Sequence, residues 1–90
     1  MFVSFTDWEF DGDVSAAVQA AKSFWPEMKK HGAVNMRATV TGEKTMRTMT
    51  LWGSKEQLEA AVDDVRAAAS KAVGITMTGG MLGELAVELD

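Results

Sequence analysis

Thr45-Met46-Arg47-Thr48-Met49-Thr50-Leu51-Trp52-Gly53-Ser54-Lys55-Glu56-Gln57-Leu58 decides how the chain folds. Its first eight residues are three threonines, two methionines, an arginine, a leucine and a tryptophan, and they read as a strand. Gly53 breaks the pattern. Ser54 and Gln57 then stand three apart, as the N-cap and N3 residues of a capping box do. A strand therefore runs straight into a helix. Leu58, Ala61, Val62, Val65, Ala68, Ala69 and Ala72 continue at three- and four-residue spacing and give that helix one apolar stripe. Glu56, Glu59, Asp63, Asp64, Arg66 and Lys71 lie mainly off the stripe, and Gly74 suits the position just past the helix end.

Working upstream, residues 33–41 and 44–52 read as a hairpin. In Thr41-Gly42-Glu43-Lys44, glycine is first of the central pair, as a type II′ turn requires. That turn sets Val34 opposite Leu51 and Met36 opposite Met49. One face then carries Val34, Met36, Ala38 and Val40 with Met49 and Leu51. The other carries Asn35, Arg37 and Thr39 with Met46, Thr48, Thr50 and Trp52. A one-residue slip would exchange the faces of one strand against the other.

Residues 1–10 read as a first strand, with Val3 and Phe5 on one face and Phe2, Ser4, Thr6 and Trp8 on the other. Asp11-Gly12-Asp13 ends it, and Asp13 is a good N-cap. Val14, Ala17, Val18, Ala21, Phe24, Trp25 and Met28 form a helical stripe. Pro26 predicts a kink or a second short helix. Lys29, Lys30 and His31 suit the negative end of that helix, with Gly32 beyond it. Downstream, a strand is expected at about 75–78, punctuation at Gly79-Gly80, and a short edge strand at 84–89.

The order β-α-β-β-α-β over residues 1–90 is a single α+β domain: an antiparallel sheet with two helices on one face. The hairpin's apolar face is expected under the helices. The opposite face then carries Thr48, Thr50, Trp8, Trp52, Met46 and Phe2, with few of the lysines and glutamates of a solvated sheet. A second copy of the chain is its simplest cover, making a homodimer. The alternative is a monomer whose open sheet tolerates a few aromatics.

The order and lengths of the elements, and the passage from Thr45 to Ala61 above all, resemble the dimeric α+β barrel superfamily of ferredoxin-like proteins. Its members commonly end the third strand with an aromatic residue before a Ser- or Asp-capped second helix, as Trp52 and Ser54 do here. The resemblance implies two subunits with facing sheets, each with a possible cavity between sheet and helices. It does not select a function. The superfamily includes cofactor-free monooxygenases, haem-degrading and dehalogenating enzymes, and proteins of unknown role.

Composition narrows the field. Nine basic and thirteen acidic residues give a net charge of −4, with no basic run, so no nucleic-acid partner is expected. There is no cysteine, which removes thiolate nucleophiles and Cys-ligated zinc. No apolar window is long enough to span a membrane, and the first residues lack the pattern of a signal peptide, so a cytoplasmic location is expected.

No reaction follows from the residues. The single histidine, His31, reads as a helix-end residue, and neither a metal nor a cofactor is expected. The superfamily's haem degraders use His with a nearby Asn and Trp. His31, Asn35, Trp8 and Trp52 do not match that spacing. Asp7, Glu9, Asp11 and Asp13 are either a set of mutually perturbed carboxylates or a solvated strand end and cap. Gly79-Gly80-Met81-Leu82-Gly83 lacks the lysine of a phosphate loop. Seven methionines are the unusual feature. Flexible thioethers facing small alanines either fill gaps or leave an apolar cavity.

The candidate ligand-binding residues are Val18, Ala21, Trp25 and Met28 on the first helix, Met36, Arg47 and Met49 on the hairpin, and Met77 after the second helix. Arg47 would clamp a carboxylate, or else reach out to solvent or an acid. Arg37, on the other face, would meet Asp7 or Glu9 across a dimer interface. The leading reading is a dimeric binding protein for a small, elongated, apolar molecule, fatty-acid-like and carboxylate-bearing. The alternatives are a cofactor-independent monooxygenase or isomerase acting on an aromatic or polyketide-like substrate, and a structural dimer with a solid core.

Overall fold

A computed structural model describes residues 1–71 and 74–89, the side chains of 65–71 excepted. The elements are β1 (Phe2–Phe10), α1 (Val14–Lys30), β2 (Ala33–Gly42), β3 (Thr45–Trp52), α2 (Lys55–Lys71) and β4 (Ile75–Glu84). They form one antiparallel four-stranded sheet in the order β2-β3-β1-β4, with α1 and α2 packed on one face. This is the anticipated β-α-β-β-α-β arrangement.

Both helices start where their caps dictate. Asp13 Oδ1 accepts from the Ala16 amide at 3.1 Å, and Ser54 Oγ accepts from the Gln57 amide at 3.2 Å. α1 runs through Pro26 as one element, so of the two expectations, a kink or a second short helix, the second is not met. Proline at this site forgoes one hydrogen bond in the last turns of a helix already held by its packed face. His31 caps α1, and Gly32 follows with φ of +105°, the conformation glycine supplies at a helix end. The stretch of the α2 stripe at Val65, Ala68, Ala69 and Ala72 lies outside the described side chains.

The hairpin differs from its sequence-based register by one residue. Gly42 does not adopt a positive φ, so the type II′ turn is not made. The tip is Glu43-Lys44, a bulge falls between Val40 and Gly42, and Val40 pairs with Met46. Lys44 is pinned from the side: its carbonyl accepts from the Phe10 amide at 3.0 Å, and its Nζ donates to the carbonyls of Asp11 and Gly12 at 3.3 and 2.8 Å. A second bulge, between Ala33 and Asn35, returns Ala33 to the helix side beside Trp52.

The slip reverses β3. Met46, Thr48, Thr50 and Trp52 lie under the helices and are buried. Arg47, Met49 and Leu51 face away from them. The placement of Arg47 and Met49 among the interior residues is therefore corrected, and so is the placement of the threonine-rich face at a subunit interface: that face is the inner one. The core joins Phe10, Ala17, Ala21 and Met46 at one end and Met28, Ala33, Trp52, Leu58 and Ala61 at the other.

β4 is longer than its sequence suggests and absorbs Gly79-Gly80. A bulge against β1 falls there, and a Cβ on Gly80 would come within 3.1 Å of the Phe5 carbonyl oxygen. Glycine is what lets the two backbones approach. Of residues 84–89, anticipated as a separate edge strand, Glu84 ends β4 and 85–89 form no strand.

On the outward face, Asp7 sits opposite Arg47. The guanidinium Nε and Nη2 donate to the two carboxylate oxygens at 2.7 and 3.1 Å. This bidentate bond holds the Asp7 carboxyl below the usual carboxylate range. A carboxyl lowered in the folded state stabilises above its unfolded value, and that gain disappears as pH falls through the folded value. Urea unfolding of the Asp7→Asn variant should therefore differ from the parent at neutral pH, with the difference shrinking below about pH 4. A difference that persisted unchanged through that range would show that the pair is not formed.

Candidate functional site

The inner face of the sheet carries two tryptophans whose indole N–H groups must find acceptors once buried. Trp8 Nε1 donates to Thr48 Oγ1, and Trp52 Nε1 donates to Ser4 Oγ, each at 3.0 Å. Both bonds cross from β1 to β3 on the diagonal, since Trp8 lies directly opposite Met46 and Trp52 opposite Phe2. The hydroxyls that read as an interface in the sequence are thus the acceptors of an interior.

Above these residues, between sheet and helices, is a cavity of about 460 Å³, within the range of small-molecule sites. Ser4, Thr6, Thr48 and Thr50 give it a hydroxyl floor, flanked by Trp8 and Trp52. Phe24 of α1 stacks on Trp8 with ring centroids 6.5 Å apart. Met28, Met36, Met46 and Met77 supply flexible walls, and Leu58 and Val62 close the α2 side. Among the described residues the wall holds no charged side chain.

Of the residues singled out from the sequence, Ala21, Met28, Met36 and Met77 are brought together on this wall. Val18 and Trp25 are not on it. Trp25 instead borders a shallower groove with Lys22, Val34 and Arg37. Arg47 and Met49 lie on the far side of the sheet. Sequence reasoning sets Trp8 and Trp52 near pocket mouths only in the oxygenase alternative, and it passes over Ser4, Thr48 and Thr50 as wall residues. Their signal was present as tryptophan and hydroxyl residues sharing one face of two strands, but it was assigned to the wrong side.

The arrangement can do some things and not others. Each Ser or Thr hydroxyl that accepts from an indole keeps its own proton to donate. The floor therefore offers hydrogen-bond donors to a carbonyl or hydroxyl oxygen on an otherwise apolar guest. The described wall offers no carboxylate or imidazole to take a proton and no cation to hold an anion.

No family model matches the chain, and no curated protein matches it in sequence. Solved structures do match in fold. A variant of SnoaB, a cofactor-independent oxygenase from Streptomyces nogalater, aligns with a TM-score of 0.78 at 12% identity over 98% of this chain and 96% of that one. A dimeric ferredoxin-like protein from an uncultured marine organism aligns with a TM-score of 0.66 at 12% identity, covering 100% and 99%. The haem-degrader MhuD from Mycobacterium tuberculosis, with two haems bound in its active site, aligns at 0.54 and 23% identity, covering 100% and 98%. The chain thus has a ferredoxin-like fold.

Thr48→Val keeps the side-chain shape and removes the acceptor of the Trp8 indole. It should lower the free energy of unfolding by about 1–3 kcal/mol, read from denaturant midpoints, while Thr48→Ser keeps most of it. Equal midpoints for the parent and Thr48→Val would mean that the indole is satisfied elsewhere.

Proposed function

We propose that this ferredoxin-like α+β barrel chain is a homodimeric binding protein for a flat, apolar, uncharged molecule bearing one or two carbonyl or hydroxyl oxygens. The observation that carries the reading is a cavity with apolar walls and a floor of indole-anchored hydroxyls. Such a wall favours a guest that brings no charge, because an unpaired ion pays desolvation without return. A fatty-acid-like carboxylate fits less well, since Arg47 is engaged with Asp7 on the other face. Aromatic side chains at both ends, Trp8 with Phe24 and Trp52, match a planar ring system that can stack.

The second reading is cofactor-independent oxygenation of an aromatic or polyketide-like substrate. The likeness to SnoaB over nearly the whole chain favours it. It requires a proton acceptor near the substrate, and the described wall supplies none, so binding is the leading reading. One titration serves both. A polycyclic quinone added to the protein should quench most of the tryptophan emission, because two of the three tryptophans line the cavity. Trp25→Phe should keep that quenching, and Trp8→Phe with Trp52→Phe should lose it. No saturable quenching by polycyclic quinones or phenols would end the binding reading. Protein-dependent oxygen uptake with a reduced polycyclic phenol would favour the oxygenase.

Dimerisation is assigned to the outward face of the sheet. Val3, Phe5, Met49, Leu51 and Met81 share that face by register; Val3 and Leu51 are already buried within one chain, and Met81 is 60% exposed. An apolar strip on an otherwise open sheet is the kind of surface a two-fold partner covers. Met81→Glu should convert a dimer into a folded monomer by light scattering. A parent chain that is monomeric at micromolar concentration would overturn the assignment.

A further inference from the structure

We propose that Glu27, His31 and Asp64 form a site for a first-row divalent metal ion, best matched by zinc, that clips the end of α1 to α2. Glu27 and His31 stand four apart on α1, so their side chains share a face. Asp64 comes from α2. His31 Nε2 lies 3.3 Å from Glu27 Oε1 and 2.8 Å from Asp64 Oδ2. One donor atom from each residue falls within 4.8 Å of the others. Tetrahedral zinc, with bonds of about 2.0–2.1 Å, sets its ligand atoms about 3.3 Å apart, so these side chains need only small rotations to enclose an ion.

A second observation points the same way. His31 Nε2 is shut off from solvent and makes no well-directed hydrogen bond, close as the two carboxylates are. A ring nitrogen so placed has lost water without gaining an aligned partner. A cation between the three atoms supplies that partner and balances two carboxylates against a neutral imidazole. The mixed nitrogen and oxygen set suits zinc and its neighbours better than calcium or magnesium, which prefer oxygen alone.

The surroundings hold the ligands in place. The His31 amide donates to the Glu27 and Met28 carbonyls at 3.3 and 3.1 Å, fixing its backbone at the helix end. The Gln57 side chain occupies the space beside Gly32, within 2.6 Å of where a Cβ would stand, so the start of α2 packs directly on the end of α1. Asp64 and Glu27 are half exposed, which leaves the remaining coordination position open to water. None of the three residues lines the cavity, so this inference is independent of the ligand proposed for it.

The test uses the full chain freed of metal with a chelator. Titration with Zn²⁺ alone, followed by calorimetry, should give one ion per chain, and Co²⁺ should give visible absorption bands of a low-symmetry site. Zn²⁺ should also raise the melting temperature. His31→Ala should weaken Zn²⁺ binding by at least about 100-fold, and Asp64→Asn should weaken it too, with circular dichroism unchanged. Binding of equal strength in His31→Ala, or no binding by the parent chain, would overturn the site and leave the trio an ion pair only.

Discussion

Two hydrogen bonds favour the register on which the rest of the sheet depends. An indole N–H buried under helices cannot go without an acceptor, and this chain buries two, one near each end of β1–β3. Each finds its hydroxyl on the facing strand, two positions along. Because side chains alternate sides with every residue, a shift of β3 by one would carry Thr48 and Trp52 to the outer face, leaving the Trp8 indole without its acceptor and parting Trp52 from Ser4. The pair of bonds therefore favours one register of β3 against β1. The pinned tip at Lys44 then holds β2 to the same frame.

That constraint also decides what kind of cavity is left. Serine and threonine are short. Ranged along the middle of the sheet beneath two helices, they leave height that longer residues would have filled. The alanines of α1 add to it, and the methionines around the edge can bend into or away from the space. A floor of small hydroxyls under a flexible apolar rim combines orientation with tolerance. Positioning comes from the rigid sheet and adaptation from the thioethers.

Much of the fold was legible in the sequence, because capping residues and apolar periodicity are local signals. Asp13, Ser54 and Gln57 announced the helix starts, and Gly32 an end. The site was less legible, and for one reason. The register of the hairpin hinged on whether Gly42 would take a positive φ, and the local preference for a type II′ turn gave way to hydrogen bonds reaching Lys44 from the end of β1, more than thirty residues away in sequence. Once β3 was placed one residue out, Arg47 and Met49 were assigned to the interior and the threonines to an interface. Ala21, Met28, Met36 and Met77 were unaffected because the helical stripes and β2 did not depend on that turn. Of the two carboxylates beside His31, Glu27 is legible as its i−4 neighbour on α1, but Asp64 approaches it only through the packing of one helix on another.

The strand order β2-β3-β1-β4 has a consequence for how the chain comes together. β1 occupies the interior of the sheet, yet both its neighbours come later: Phe2 is bonded beside Trp52 on one flank and beside Glu84 on the other. During synthesis β1 must wait for β4, made after both helices and the hairpin, before its second flank is satisfied. The hairpin and both helices can assemble from near neighbours, while closure of the central strand demands the longest loops. Until β4 arrives, one side of β1 is an unpaired edge, which β4 then seals.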